Sequence, residues 1–499
     1  MLFSFLCNPA IAQDTLLNSF QRGKLDSVNS SILKQKRMIQ VFLPGNYKPG
    51  STDKYDVLFV LDGGNWNTGL VSYAQRFVQD QGFIPSTIIV SVMAIDRNEE
   101  LTPSHLDDWK GSGGAKDFLE FITTELIPHI NKNYPSNGDN ALWGHSLSAM
   151  FVIYAMLNKP TEFKSYIAVD PSCWWDNCLI PKMAASKLPG LHGIDATLFI
   201  GGRDTAGLRD MKIDSMVNAL KNAAPAGIHW KAVSYPGESH SSVRLKATYD
   251  GLKYIYEGFT GDIEVYPQGG IIAKHQPFII WCFDDTTRLH YTLDGTVPTE
   301  TSPKAQRDIA IDSTATVIYK HFGNRSRYDK TVIRNYKQGE VLKPVSLPKK
   351  VKPGGFGYAY YESAGADRMD LKSSKPIKSG FMDKDFNPDS LHRKANYAFV
   401  IDGFMEAKED GYYMLFMAAG KGAKLYLGNR LLINWDENVK GDSYSFKVPL
   451  AKGFYPIRIE YFDQKEQFKF MLRYLVPSNM ASGDTTPIPF ELQYGKMKL

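Results

Sequence analysis

The sequence predicts an α/β fold, a largely parallel sheet with helices on both faces, followed by two all-β sandwich domains. Three observations carry this. Between about residues 37 and 259, short apolar strand-like runs alternate with helical patterns, the order that produces crossover units and a parallel sheet. Two of the runs, DVLFVLDGG and TIIVSVMAI, are continuously apolar, as strands covered on both faces are. After about Gly261 the alternation stops, and segments rich in Thr, Val, Ile and Tyr with turn signals take over.

Size and composition bound the answer. At 499 residues the length prior is about three domains. The formal charge of +5 (58 basic against 53 acidic residues) is small for this length, and no dense Lys/Arg tract occurs. Nucleic-acid or anionic-membrane binding therefore has no electrostatic footprint. No apolar run reaches the roughly 18 residues that a membrane span needs. Residues 1–12 (MLFSFLCNPAIA) form an apolar run ending in Ala10-Ile11-Ala12. They resemble the core and A-x-A cleavage site of a signal peptide without its basic leading residues, so a secreted or periplasmic protein is expected. Of four cysteines, Cys7 would leave with that segment, Cys173 and Cys178 are close enough in sequence to bridge, and Cys282 is unpaired in its own region. Spacing alone fixes no disulfide. No Cys/His spacing suggests a metal site, and no cofactor is expected.

Taken in order, the strand-like runs fall at 38–43, 57–61, 87–92, 142–143, 166–169, 197–200 and 230–234. The clearest helical pattern covers 117–133, with Phe118, Ile122, Leu126 and Ile130 on one stripe. In 262–345 the run HYTLDGTVPT reads as strand, turn and edge strand. A Lys/Pro-rich stretch then suits a semi-extended linker, and 355–499 returns to glycine-punctuated strands in the pattern of a sandwich. The expected division is 1–12 signal, 13–260 α/β domain, 261–345 small β-sandwich, 346–354 linker and 355–499 second β-sandwich.

The chemistry concentrates at Gly144-His145-Ser146-Leu147-Ser148. An apolar strand ends at Gly144 and a helical run begins behind the serine, which is the context of a nucleophile elbow, G-x-S-x-G. Ser148 stands where the last glycine would be, and the plainer reading of Ser146 is a helix cap. A serine hydroxyl needs a base to take its proton and a carboxylate to orient that base. In chain order Ser, Asp, His, the candidates are Asp204, just past the 197–200 strand, and His240, on the loop between the last strand and last helix. Asp204 standing alone would be read as a cap for the helix that follows. Glu238 reads as a solvated neighbour of the histidine. The oxyanion of an acyl-transfer intermediate would be met by the backbone N–H of Leu147 and by that of Gly64 or Asn65, on the loop LDGGNW.

These residues carry a resemblance. LDGGNW (61–66), DRNEELTPS (96–104), FLEFITTELIPHI (118–130), GHSLSA (144–149), DPSCWWDN (170–177), GGRD (201–204) and GESHSSV (237–243) resemble, in order, the esterase family of α/β hydrolases that includes enterochelin and feruloyl esterases. The resemblance implies Ser146, Asp204 and His240 as the triad. It also implies a substrate-facing set of Trp66, Arg97, His145, Trp174 and Trp175, the two adjacent tryptophans lining the acyl or aromatic side of the pocket; core packing of the tryptophans and a structural ion pair at Arg97 are the plainer readings. The run HYTLDGTVPT resembles the small β-sandwich at the C-terminus of chitobiases and hexosaminidases. Residues 355–480 resemble the protective-antigen-type β-sandwich, whose lectin members hold calcium with paired aspartates. Here the stretch reads Gly420-Lys421-Gly422-Ala423, without such a pair, which points to a structural or calcium-free contact role. Trp435 and Tyr412 could stack on sugars or be buried strand residues. The expectation is an exported serine carboxylic-ester hydrolase acting on a small-molecule or polysaccharide ester, with feruloyl or acetyl esters of carbohydrates first. The C-terminal domains offer a glycan contact. A siderophore or other small-ester hydrolase, and a non-catalytic glycan-binding surface protein, are the alternatives.

Overall fold

The computed structural model describes residues 23–284, 286–349, 351–362, 371, 374–383, 396–436, 443–463, 470–490 and 494–496. The expected signal segment, with Cys7, lies outside the described residues. The chain forms two compact units, Met1–Gly261 and Asp262–Leu499, each taken by itself below.

The first unit is built on eight strands: β1 (Lys24–Ser30), β2 (Gln35–Phe42), β3 (Tyr55–Val60), β4 (Thr87–Val92), β5 (Ser136–His145), β6 (Ser165–Val169), β7 (Ala196–Gly202) and β8 (Ile228–Ser234). Their order across the sheet is β1-β2-β4-β3-β5-β6-β7-β8. β2 pairs antiparallel with both β1 and β4, and the pairings from β4 to β8 are parallel. Seven strands match the apolar runs. β1 (KLDSVNS) has no such run because it is a half-exposed edge strand. β3 and β4 are buried along their whole length, as their continuous apolarity requires.

The helices are α1 (Asn65–Asp80), α2 (Arg97–Leu101), α3 (Ala115–Phe121), α4 (Ile127–Asn133), α5 (Leu147–Asn158), α6 (Trp175–Lys187), α7 (Thr205–Asp210), α8 (Ile213–Ala223) and α9 (Val243–Ile255). The helical stripe expected over 117–133 is present but is not one α-helix. α3 and α4 are joined by a π-helical turn, Ile122–Leu126. The spacing explains it. Four residues of α-helix at ~3.6 per turn advance about 400°, so a stripe repeating every four residues drifts by about 40° per step. A wider π turn absorbs that drift, and Phe118, Ile122, Leu126 and Ile130 all stay buried.

One buried ion pair fixes the loop that follows β4. Arg37 on β2 and Glu100 on α2 meet at 2.6 Å, both almost fully buried. Arg37 also donates to Met93 O at 2.6 Å, and its guanidinium lies over the Phe118 and Phe121 rings. The charge pair thereby pins α2, which begins at Arg97.

The second unit is mostly β, with one short helix, Pro477–Ala481, among its described residues, and its two expected modules share an eight-stranded sheet. The eight strands run Leu289–Thr292, Ala315–His321, Lys330–Gly339, Gly269–Ala273, Tyr444–Leu450, Gly411–Ala419, Phe470–Leu475 and Ile488–Pro489. The short strand Gly269–Ala273 joins the halves, pairing parallel with Lys330–Gly339 on one side and Tyr444–Leu450 on the other. A Cβ at Gly270 would lie 2.4 Å from the Phe278 ring, so that position needs glycine. Part of the expected linker is itself strand, Val351–Pro353 pairing with Tyr494–Lys496. Trp435 is buried, and the Tyr412 hydroxyl accepts the Ala273 N–H at 2.9 Å. Trp435 thus matches the buried-strand reading, while Tyr412 is partly buried. Gly420 packs against the buried carboxylate of Asp463.

Candidate active site

The candidate site lies at the C-terminal rim of the parallel strands, where functional groups of open α/β sheets gather. Three neighbouring strands, β3, β5 and β6, each run out into a residue with left-handed backbone: Asp62 (φ 51°), Ser146 (φ 63°) and Asp170 (φ 45°). An L-residue in that region costs about 1–2 kcal/mol, and the cost is carried where polar side chains must be presented sharply at the sheet edge.

Ser146 occupies a nucleophile elbow between β5 and α5. A Cβ at Gly144 would lie 2.4 Å from the Ser148 backbone, so the strand can pass the helix only with glycine there. Ser148 does more than tolerate its position. It is fully buried, its hydroxyl accepts the His145 N–H at 2.9 Å and donates to His145 O at 2.8 Å. A glycine could do neither, so the serine staples the turn.

His240 is held by a carboxylate, but not the expected one. Its Nδ1 lies 2.6 Å from Asp170 Oδ2. Asp204 instead caps α7, accepting the Gly207 N–H at 2.8 Å, and it is exposed. This corrects the Asp204 expectation in favour of its plainer reading as a cap. The GGRD motif does reach the site, through its arginine: Arg203 Nε donates to the same Asp170 oxygen at 2.9 Å. Asp170 is fully buried, so the guanidinium offsets a charge that burial would otherwise disfavour. Ser146 Oγ is hydrogen-bonded to Ser172 Oγ at 3.3 Å and, among the described residues, not to His240. In unliganded hydrolases that bond is often long and tightens on substrate binding. With Nδ1 committed to Asp170, Nε2 is the nitrogen left for the hydroxyl.

His145 supports the same loop from below. Its Nε2 lies 2.7 Å from the carbonyl oxygen of His240; a carbonyl only accepts, so that nitrogen carries the proton. The two imidazole rings are 4.5 Å apart. Burial, with the charges of His240 and Arg244 adding to it, pushes the His145 pKa down to about 4, so the ring is neutral at neutral pH.

Leu147 and Asn65 are the first residues of α5 and α1, positions whose N–H groups have no partner within the helix. Leu61 N–H donates to Trp143 O at 3.0 Å, which sets the β3 loop alongside the elbow. The Gly64 N–H is already donated to Thr68 Oγ1 at 3.2 Å. That bond counts against Gly64 of the two alternatives on this loop.

An open cleft of about 490 Å³ beside the elbow is lined by Asp62, Gly64, Trp66, Asn67, Arg97, His145 and Arg244. Trp66, Arg97 and His145 are among its lining residues, Arg97 while paired with Asp62 at 2.9 Å. The tryptophan pair does not line it. Trp175 is fully buried, donates to Ser104 Oγ at 3.0 Å and packs on Trp109. Trp174 is half-buried in the same aromatic cluster. Trp175 is thereby corrected to a packing residue. Cys173 and Cys178 are free thiols, not a bridge.

A hydroxyl on a strained elbow, an imidazole tied to a buried carboxylate, and two helix-terminal amides together form the group set of a serine hydrolase. Residues 30–197 match the family described as "Putative esterase", and residues 354–485 match the PA14 domain. Among individual proteins, the chain is 28% identical over 168 residues to the ferri-bacillibactin esterase BesA of Bacillus subtilis, covering 30% of this chain and 58% of that one. It is 29% identical over 156 residues to the siderophore triacetylfusarinine C esterase of Aspergillus fumigatus, covering 29% and 53%. The chain thus spans little more than half the length of these relatives. Similar solved structures include an IroE-like serine hydrolase from Shewanella oneidensis, with 27% identity and a TM-score of 0.43, covering 46% of this chain and 79% of that one. No helix among the described residues is long and apolar enough to cross a membrane.

Proposed function

We propose that this chain is a serine carboxylic-ester hydrolase. The observation that carries the reading is the His240–Asp170 bond of 2.6 Å at the end of β6, one strand from the Ser146 elbow. Ser146 Oγ attacks the ester carbonyl carbon while His240 Nε2 takes the hydroxyl proton. Asp170 fixes the imidazole tautomer and stabilises the imidazolium. The N–H groups of Leu147 and Asn65 receive the tetrahedral oxyanion. Collapse expels the alcohol, which leaves with the proton from His240. Water, deprotonated by the same histidine, then releases the acid and restores Ser146.

The named relatives support a siderophore-type ester as the first substrate class. The carbohydrate acyl ester suggested by the sequence is the second, and the PA14 match is what favours it, together with the resemblance of 290–299 to a chitobiase-type module. The signal-like residues 1–12 are what support an exported protein, and glycan contact through the C-terminal modules belongs with the carbohydrate reading. The test is ester hydrolysis by the full chain and by Ser146→Ala. Wild type is expected to turn over p-nitrophenyl acetate, with a loss of at least about a thousandfold in the variant. Equal rates would end the proposal. A panel of a trilactone siderophore against feruloylated and acetylated oligosaccharides orders the two substrate classes.

A further inference from the structure

Among the described residues, the cationic groups around the candidate site are matched by carboxylates with one exception. Arg97 is paired with Asp62 at 2.9 Å, Arg203 with Asp170 at 2.9 Å and Lys246 with Glu238 at 2.6 Å. Arg244, near the start of α9, lines the cleft and, among the described residues, has no carboxylate in reach. It is nevertheless held in place. Its Nη1 donates to Asn67 Oδ1 at 2.9 Å and its Nε to Ser241 O at 2.9 Å. Asn67 is itself buried, with its amide nitrogen donating to Asp62 O at 3.2 Å. A chain of hydrogen bonds from the β3 loop thus aims the guanidinium, and two of its five donors are used.

Ordering a long arginine side chain costs rotamer entropy, and here no protein anion offsets it. The charge is felt inside the cleft, where it helps to hold the neighbouring His145 imidazole neutral. Neutral His145 and the cancelled Asp62–Arg97 pair leave Arg244 as the net charge on that wall. A fixed guanidinium fork with free donors recognises a planar oxyanion in bidentate fashion.

We propose that Arg244 is the anchor of an oxyanion subsite, and that the preferred substrates are esters bearing a carboxylate or similar planar oxyanion near the scissile bond. This rests on the hydrolase reading and specifies its substrate. The charge enters on the acyl or the alcohol side, so two matched pairs are needed. These are mono-p-nitrophenyl glutarate against p-nitrophenyl valerate, and 4-carboxyphenyl acetate against phenyl acetate.

With the full chain, kcat/KM for the anionic member of at least one pair is expected to exceed that of the neutral member by about 10- to 100-fold. Added salt should narrow the gap. Arg244→Met should abolish the preference, and Arg244→Lys should keep part of it, since a point charge lacks the fork. No preference in either pair, or a preference that survives in Arg244→Met, overturns the subsite while leaving the hydrolase reading intact. If no ester is turned over at all, the hydrolase reading falls. Equilibrium binding of glutarate and benzoate to wild type and Arg244→Met then decides the subsite by itself. Binding of either anion that weakens at least tenfold in the variant supports it, and anything less overturns it.

Discussion

Asp170 and Asp204 are residues of one kind at one rim of one sheet, just past the ends of the neighbouring parallel strands β6 and β7. Their surroundings differ. Asp170 is fully buried, shares one oxygen between His240 and Arg203, and sits in left-handed backbone. Asp204 is exposed, in extended backbone, and bonds to an amide three residues on. The difference teaches that an aspartate's place after a strand does not define its role. What it can reach once the chain turns does.

The sharpest way to break the comparison is to exchange each carboxylate for its amide. Asp170→Asn should lower kcat by about four orders of magnitude, because an amide favours the wrong histidine tautomer. Asp204→Asn should stay within about twofold. Ester turnover by the two variants checks this, and a reversed order would return the orienting role to Asp204.

Burial of a matched charge pair is the property that sets Asp170 apart, so another such pair should be comparably sensitive. Glu100→Gln leaves the Arg37 guanidinium buried without its anion and should cost roughly 3–5 kcal/mol. Chemical denaturation followed through the first unit measures it.

The histidine beneath the site gives a pH signature. With the His145 pKa at about 4 against an unfolded value of ~6.5, the unfolded chain binds more protons between those limits. Stability contributed there rises from pH 4 to 6.5 and is lost as pH falls, by no more than on the order of 3 kcal/mol. In His145→Gln that part of the pH dependence should flatten, as seen by thermal melts across the range. The smallest effect is expected at the exposed aspartate. Asp204→Ala removes a helix cap and should cost about 0.5–2 kcal/mol in the same melts, with turnover close to that of wild type.

Much of the first unit was legible because its signals are local. Strands buried on both faces read as continuous apolar runs, and the elbow announces itself by Gly144 and Ser146 in strand–turn–helix context. His240 could be read because it sits between the last strand and the last helix. Asp170 follows an apolar run, SYIAVD, which is the same signal that singled out Asp204. Local pattern offered no means of choosing between them, since the choice depends on a bond spanning 70 residues to His240. The pocket-lining reading of Trp175 failed for a related reason. Adjacent indoles have the same composition whether they face a cleft or, like Trp175, fill the interior against Trp109. The sharing of one sheet by the two β modules was equally hidden, because Gly269–Ala273 is only 5 residues long and its partners lie far away in the chain.

That short glycine-led strand has a practical consequence. A fragment ending near residue 345 would lack Tyr444–Leu450, leaving Gly269 and Gly270 with bare backbone donors and acceptors along one side. Such an edge recruits other chains. Excised alone, the middle module should self-associate, whereas 262–499 taken together should melt in one cooperative transition.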